Sequence, residues 1–212
     1  MKKLVFVILL FATSSLLAQQ DIDTTNAKVV IAENQEAEVA YNKGLKQYRN
    51  KNYQKAIDLF TEAISYKKDF TKAYVNRASI HSRLGSYARA VKDYTRAIKL
   101  EPENGELYFN RGYALLYAGK YSNAVTDMVQ AGKNGFRNAR VYYYIGVAKF
   151  QQEDYKTSIK AFNNAIKMDN EYAYAYNDRG SAKRKLEQYE EALKDYDKAI
   201  AINDKFAVAY NN

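Results

Sequence analysis

Apolar residues recur along most of this chain three and four positions apart, in stretches of about fourteen separated by short polar breaks. That period marks helices with one buried side. The pattern predicts ten helices: 37–50, 53–66, 71–84, 87–100, 105–118, 121–132, 139–152, 155–168, 173–186 and 189–202. Lys51-Asn52, Gly85-Ser86, Gly119-Lys120, Glu153-Asp154 and Glu187-Gln188 each stand just before a tyrosine that opens a second helix, so the helices pair into hairpins. Gly132 interrupts this order, standing where Ile64, Ile98, Ile166 and Ile200 stand elsewhere, and Gly135 follows it. Glycine disfavours helix by about 1 kcal/mol against alanine, so that helix is expected to stop at Gly132 and leave 133–138 as a looser joint.

The hairpins repeat every 34 residues without a gap, as 37–70, 71–104, 105–138, 139–172 and 173–206. Gly44, Ala78, Gly112, Gly146 and Gly180 form one column of small residues. Ala56, Ala90, Ala124, Ser158 and Ala192 form another, and Ala63, Ala97, Ala131, Ala165 and Ala199 a third. Tyr53, Tyr87, Tyr121, Tyr155 and Tyr189 hold the second-helix start. Small residues on facing sides let two backbones approach while the tyrosines fill between rows. In period and columns the chain resembles the tetratricopeptide repeat family. The resemblance implies an all-α fold, a right-handed superhelical α-solenoid, whose first helices line a concave groove that grips a segment of a partner. It implies no catalytic residue and no cofactor.

Composition adds little and excludes some chemistry. The chain has 212 residues and no cysteine, which rules out disulfides, thiolate metal sites and a cysteine nucleophile. Its net charge of +9 is scattered among acidic residues, with no basic arm, so nucleic acid is not an expected partner. Residues 1–18 begin Met-Lys-Lys and continue through an apolar run, and read as a secretory signal peptide. The uninterrupted run 4–12 is well short of the roughly 20 residues a spanning helix needs, so no integral membrane segment is expected once the leader is cleaved. Export follows, to the periplasm or beyond in a Gram-negative source. Residues 19–36 read as a linker. Residues 207–212 restart the repeat and stop without a polar capping helix, which predicts a continuing chain or self-association through that end.

One correlation concerns charge. Arg77, Arg111 and Arg179 in first helices accompany Asp93, Asp127 and Asp195 in second helices, whereas Lys43 goes with Leu59 and Ile145 with Ala161. Folding each hairpin about its turn predicts three structural ion pairs within repeats two, three and five. His81, the single histidine, shares a core-facing stripe with Tyr74 and Ala78, so its neighbours Ser79, Ser82 and Asp93 are not read as a triad. No metal-ligand cluster is apparent.

The resemblance places Tyr41, Tyr48, Phe109, Asn110, Tyr113, Tyr117, Tyr143, Tyr144 and Phe150 in the groove, with Arg140 at its edge, as partner-binding residues. Tyr108 and Tyr142 are expected to pack between repeats. The family's chaperone-tail clamp is not matched: Tyr41 and Leu45 replace its first residues, Asn76 agrees, and Glu106 and Asn110 replace its basic pair. The expected role is a non-catalytic scaffold that binds a protein or peptide segment in the bacterial envelope. The competing reading is a carbohydrate- or peptidoglycan-binding module that uses the tyrosine floor.

Overall fold

The computed structural model describes residues 32 and 34–204, which contain ten α-helices and no strand. The leader, the start of the linker and the last partial repeat lie outside the described residues. The fold is an all-α solenoid of helix–turn–helix units. The chain divides into two compact units, Met1–Ala73 and Tyr74–Asn212.

In the first unit, α1 (34–49) and α2 (Tyr53–Tyr66) form a hairpin over Ala56, Phe60 and Ala63. Gly44 lies flat on the Phe60 ring: a Cβ there would meet it at 2.7 Å. Tyr41 packs at a tilt against Phe60 and Phe70, with ring centroids 5.6 and 4.9 Å apart.

The second unit takes up α3 (Thr71–Arg83) from Tyr74 onward, then α4 (Tyr87–Leu100), α5 (Gly105–Tyr117), α6 (Tyr121–Lys133), α7 (Ala139–Gln151), α8 (Tyr155–Met168), α9 (Ala173–Lys185) and α10 (Tyr189–Ile202). From α4 onward each helix packs against the next in sequence, and α7 also touches α5 and α9. The small columns lie at these contacts. Gly146 admits the Phe162 ring so closely that a Cβ would meet it at 2.5 Å. Ser158, where the other hairpins have alanine, is fully buried and donates its hydroxyl to the Gly146 carbonyl at 2.9 Å.

The three charge pairs span hairpins in this unit. Arg77 donates through Nε and Nη2 to the two Asp93 oxygens at 2.8 and 2.7 Å. Arg111 grips Asp127 the same way at 2.7 Å twice, and Arg179 holds Asp195 through the same two nitrogens. Two of these arginines also reach back to the preceding hairpin, from Arg111 Nη1 to Thr95 Oγ1 at 3.2 Å and from Arg179 Nη1 to Asn163 Oδ1 at 2.7 Å. The sequence pattern had not suggested this second bond.

Helix α6 runs one residue past the expected stop, to Lys133. It ends in a Schellman turn with Gly135 at φ +81°: Phe136 N–H donates to the Ala131 carbonyl at 3.0 Å and Gly135 N–H to Gly132 at 3.2 Å. Gly105 opens α5 in close contact with this end, where a Cβ would stand 2.7 Å from the Ala131 carbonyl oxygen. The segment after Gly132 is therefore a tight turn rather than a loose joint.

Candidate functional site

The site lies on one side of α5, α7 and α9 in the second unit. Helix α7 is capped by Asn138, whose side chain accepts from Arg140 N–H at 2.9 Å. That cap sets the helix phase: residues 140, 143, 144, 147 and 150 fall on one side, and 141, 142 and 145 on the other. Tyrosines from α4, α5, α7 and the start of α9 then meet in an unbroken row. Tyr87 stacks on Tyr117 at 5.5 Å, Tyr117 lies 4.6 Å from Tyr113, and Tyr113 meets Tyr144 edge-on at 5.2 Å. Tyr144 touches Tyr143 at 5.1 Å, Tyr143 touches Tyr172 at 4.9 Å, and Tyr172 reaches Tyr174 at 6.5 Å. Two openings flank this row. One, of about 410 Å³, is lined by Ser79, Ser82, Arg83, Asn110, Tyr113 and Arg140, among others. The other, of about 240 Å³, lies between Val147, Phe150, Asp178, Ser181 and Arg184.

Polar groups are fixed within the row. Tyr143 donates its hydroxyl to Asp178 Oδ2 at 2.8 Å, and Asn177 donates to Oδ1 at 2.9 Å. Burial pushes the Asp178 carboxyl above the usual aspartate range, and these two hydrogen bonds pull part of the way back. Burial likewise raises the phenols of Tyr113, Tyr117, Tyr143 and Tyr172, with neighbouring phenols and Asp178 adding to the effect. Arg140 is exposed and lies over Phe109 and Tyr144, 4.9 and 5.8 Å from the ring centroids. A guanidinium on aromatic faces is held in place yet keeps its charge available. In the larger opening Ser82 Oγ is shielded from water and has no hydrogen-bond partner among the described residues.

The residues named from the sequence are not all brought together. Asn110, Tyr113, Tyr117, Arg140, Tyr143, Tyr144 and Phe150 share this side of the second unit, and Tyr117 is 51% exposed. Phe109 lines the larger opening with Asn110, Tyr113 and Arg140 but is mostly covered. It is 3% exposed, packed with Met128, Ala131 and Val141, because the turn at Gly135 folds Phe136 back onto it at 4.8 Å. Tyr41 and Tyr48 lie half-buried in the first unit, with Tyr48 against Tyr53 at 5.9 Å. Tyr142 is 37% exposed rather than packed between repeats. His81 is buried beside the Arg77–Asp93 pair, and desolvation lowers its pKa. The sequence reading missed Tyr172 and Tyr174, which extend the row. The signal available was their spacing about the start of a first helix, which places both rings beside Tyr143.

Among the described residues, no group of three His, Asp or Glu side chains is placed to hold a metal ion. No helix among them is long and apolar enough to cross a membrane.

Family models described as tetratricopeptide repeat match residues 71–104 and 173–206, 93–126, and 139–172. The chain is 39% identical over 61 residues to the pea (Pisum sativum) protein "Translocon at the outer membrane of chloroplasts 64". That match covers 29% of this chain and only 10% of the relative's length. Among solved structures it is similar to MamA from Desulfovibrio magneticus RS-1, with TM-score 0.75, 20% identity, and coverage of 80% of this chain and 96% of that one. It is also similar to YrrB, described as a protein of this repeat class with an unusual peptide-binding site, with TM-score 0.71, 20% identity, and coverage of 85% and 95%. Likenesses at this identity speak to the fold.

Proposed function

Because the chain belongs to the tetratricopeptide repeat family, its matched stretches together covering more than half of it, we propose that it is a non-catalytic adaptor that holds a segment of another protein along the tyrosine row of α5, α7 and α9. The observation that carries this reading is the unbroken row from Tyr87 to Tyr174 with an opening on each flank. Tyrosine offers a broad apolar face and a hydroxyl with few rotors to freeze, which suits an extended peptide. Asn110 and the Tyr113–Tyr117 hydroxyl pair stand where a peptide backbone needs hydrogen-bond partners. The peptide-binding description of YrrB supports the same class of ligand. The leader-like start of the sequence supports an exported setting, and we place the adaptor in the bacterial envelope.

The test is an array of tiled envelope-protein peptides probed with the full chain and with Tyr113→Ala, Tyr117→Ala and Asn110→Ala. Loss of one aromatic anchor is expected to weaken the best peptide by about 30-fold, roughly 2 kcal/mol, with the melting curve unchanged for Tyr117→Ala. Equal peptide binding by all three variants would refute the row as the docking surface.

A further inference from the structure

Three departures from the repeat meet at one place. In the 34-residue register, Thr95, Val129 and Asn163 are equivalent, as are Arg111, Ile145 and Arg179, and Ile98, Gly132 and Ile166. At the joints on either side, the arginine crosses to the Thr or Asn of the preceding hairpin, as described above. Between the third and fourth hairpins both members of that bond are aliphatic, Val129 and Ile145, and the isoleucine is a glycine. A Cβ on Gly132 would have nothing within 4 Å.

The result is an opening of about 510 Å³ walled by Met128, Val129, Phe136, Val141, Ile145 and Met168. Three of its lining side chains, Val129, Tyr142 and Met168, are large, apolar and exposed. In the next hairpin the equivalent Ile166 packs against the buried cluster of Phe162, Ala165 and Ala175. Lys133 and Arg137 stand at the rim. Neither is in an ion pair among the described residues. The opening faces the other side of α7 from Tyr143 and Tyr144, so it is independent of the tyrosine row.

We propose that this notch is a second docking site, a socket for a branched aliphatic side chain carried on an acidic partner segment. The side chain takes the place of the isoleucine that Gly132 lacks, and flanking carboxylates meet Lys133 and Arg137. Charge sets the choice: the walls are apolar, the rim is cationic, and no acidic side chain lines the opening. A partner that recognises the socket therefore pairs one buried aliphatic group with at least one carboxylate.

Two of the chain's three methionines line the socket, which supplies the readout. The full chain, carbon-13-labelled at methionine methyls, is titrated with the capped peptide Glu-Asp-Ile-Asp-Glu. Saturable shifts of Met128 and Met168 are expected. Gly132→Ile should weaken them at least tenfold while raising the melting temperature, because the new side chain fills the notch. Ile145→Glu, which charges a wall, should weaken them as well, and Tyr113→Ala should leave them unchanged.

The proposal falls if the methyls do not shift, or if Gly132→Ile and Ile145→Glu both bind as the parent does. Shifts lost only in Tyr113→Ala would seat the peptide in the tyrosine row instead. Equal binding of a lysine-flanked peptide would overturn the acidic assignment. A free protein that is dimeric, and made monomeric by Gly132→Ile, would replace the partner with a second copy.

Discussion

Asp93, Asp127 and Asp195 are each about 5% exposed, and both oxygens of each receive a hydrogen bond from one guanidinium. Removing only the carboxylate strands a half-buried cation. Removing both partners in favour of apolar groups strands nothing, and the fourth repeat does this naturally with Ile145 and Ala161. Asp127→Ala is therefore expected to cost about 3 kcal/mol, and Arg111→Ile with Asp127→Ala less than about 1 kcal/mol. Thr95 is not left unpaired in the double variant, since its hydroxyl already donates to the Val91 carbonyl at 2.7 Å. Urea unfolding of the three variants decides: additive losses would mean that Arg111 packs for its own sake and that the pair is incidental.

The hairpin turns are uniform in geometry and uneven in residue. Each first helix ends with the residue before the second-helix cap in the left-handed region: Gly85 at φ +73° and Gly119 at +74°, but Lys51 at +62°, Glu153 at +60° and Glu187 at +62°. A side chain in that region carries about 1–2 kcal/mol of strain, part of which glycine gives back through the entropy of the unfolded chain. Glu153→Gly is expected to stabilise by about 0.5–1 kcal/mol, lifting the melting temperature by about 2 °C. Calorimetry that finds no rise would show that the Glu153 side chain earns its place by a contact of its own. These turns also explain what the sequence made legible. The second helices, bounded by a tyrosine and a polar cap, run where the pattern puts them, as Tyr155–Met168 does, except α6, which gains Lys133. The first helices stop one residue sooner because Ala118, Gln152 and Leu186 have ψ near zero and act as caps rather than as helix. The site was legible where helix phase alone decides exposure, as for Tyr113, Tyr144 and Phe150. What was not legible is how deeply Phe109 is covered, which depends on Phe136 returning across the Gly135 turn, a contact that no periodicity encodes.

At the scale of the whole molecule, 21 tyrosines make alkaline pH the sensitive direction. Tyr113, Tyr117, Tyr143 and Tyr172 have folded pKa values raised above the ordinary 10, chiefly by burial, so the unfolded chain releases these protons first. Between pH 10 and the raised values the unfolded state binds fewer protons than the folded one, and stability falls as pH rises. The contribution is complete below pH 10 and is lost above it. Because the four rings belong to one row through the second unit, their ionisation should be coupled to the loss of helix rather than spread over independent sites. Absorbance at about 295 nm followed together with helical circular dichroism tests this: a phase above pH 10 is expected in which the two signals change together. A titration that ionises every tyrosine while the dichroism holds would mean that the row opens to water without unfolding, and a surface that opens so easily would bind its peptide by rearrangement rather than as a preformed track.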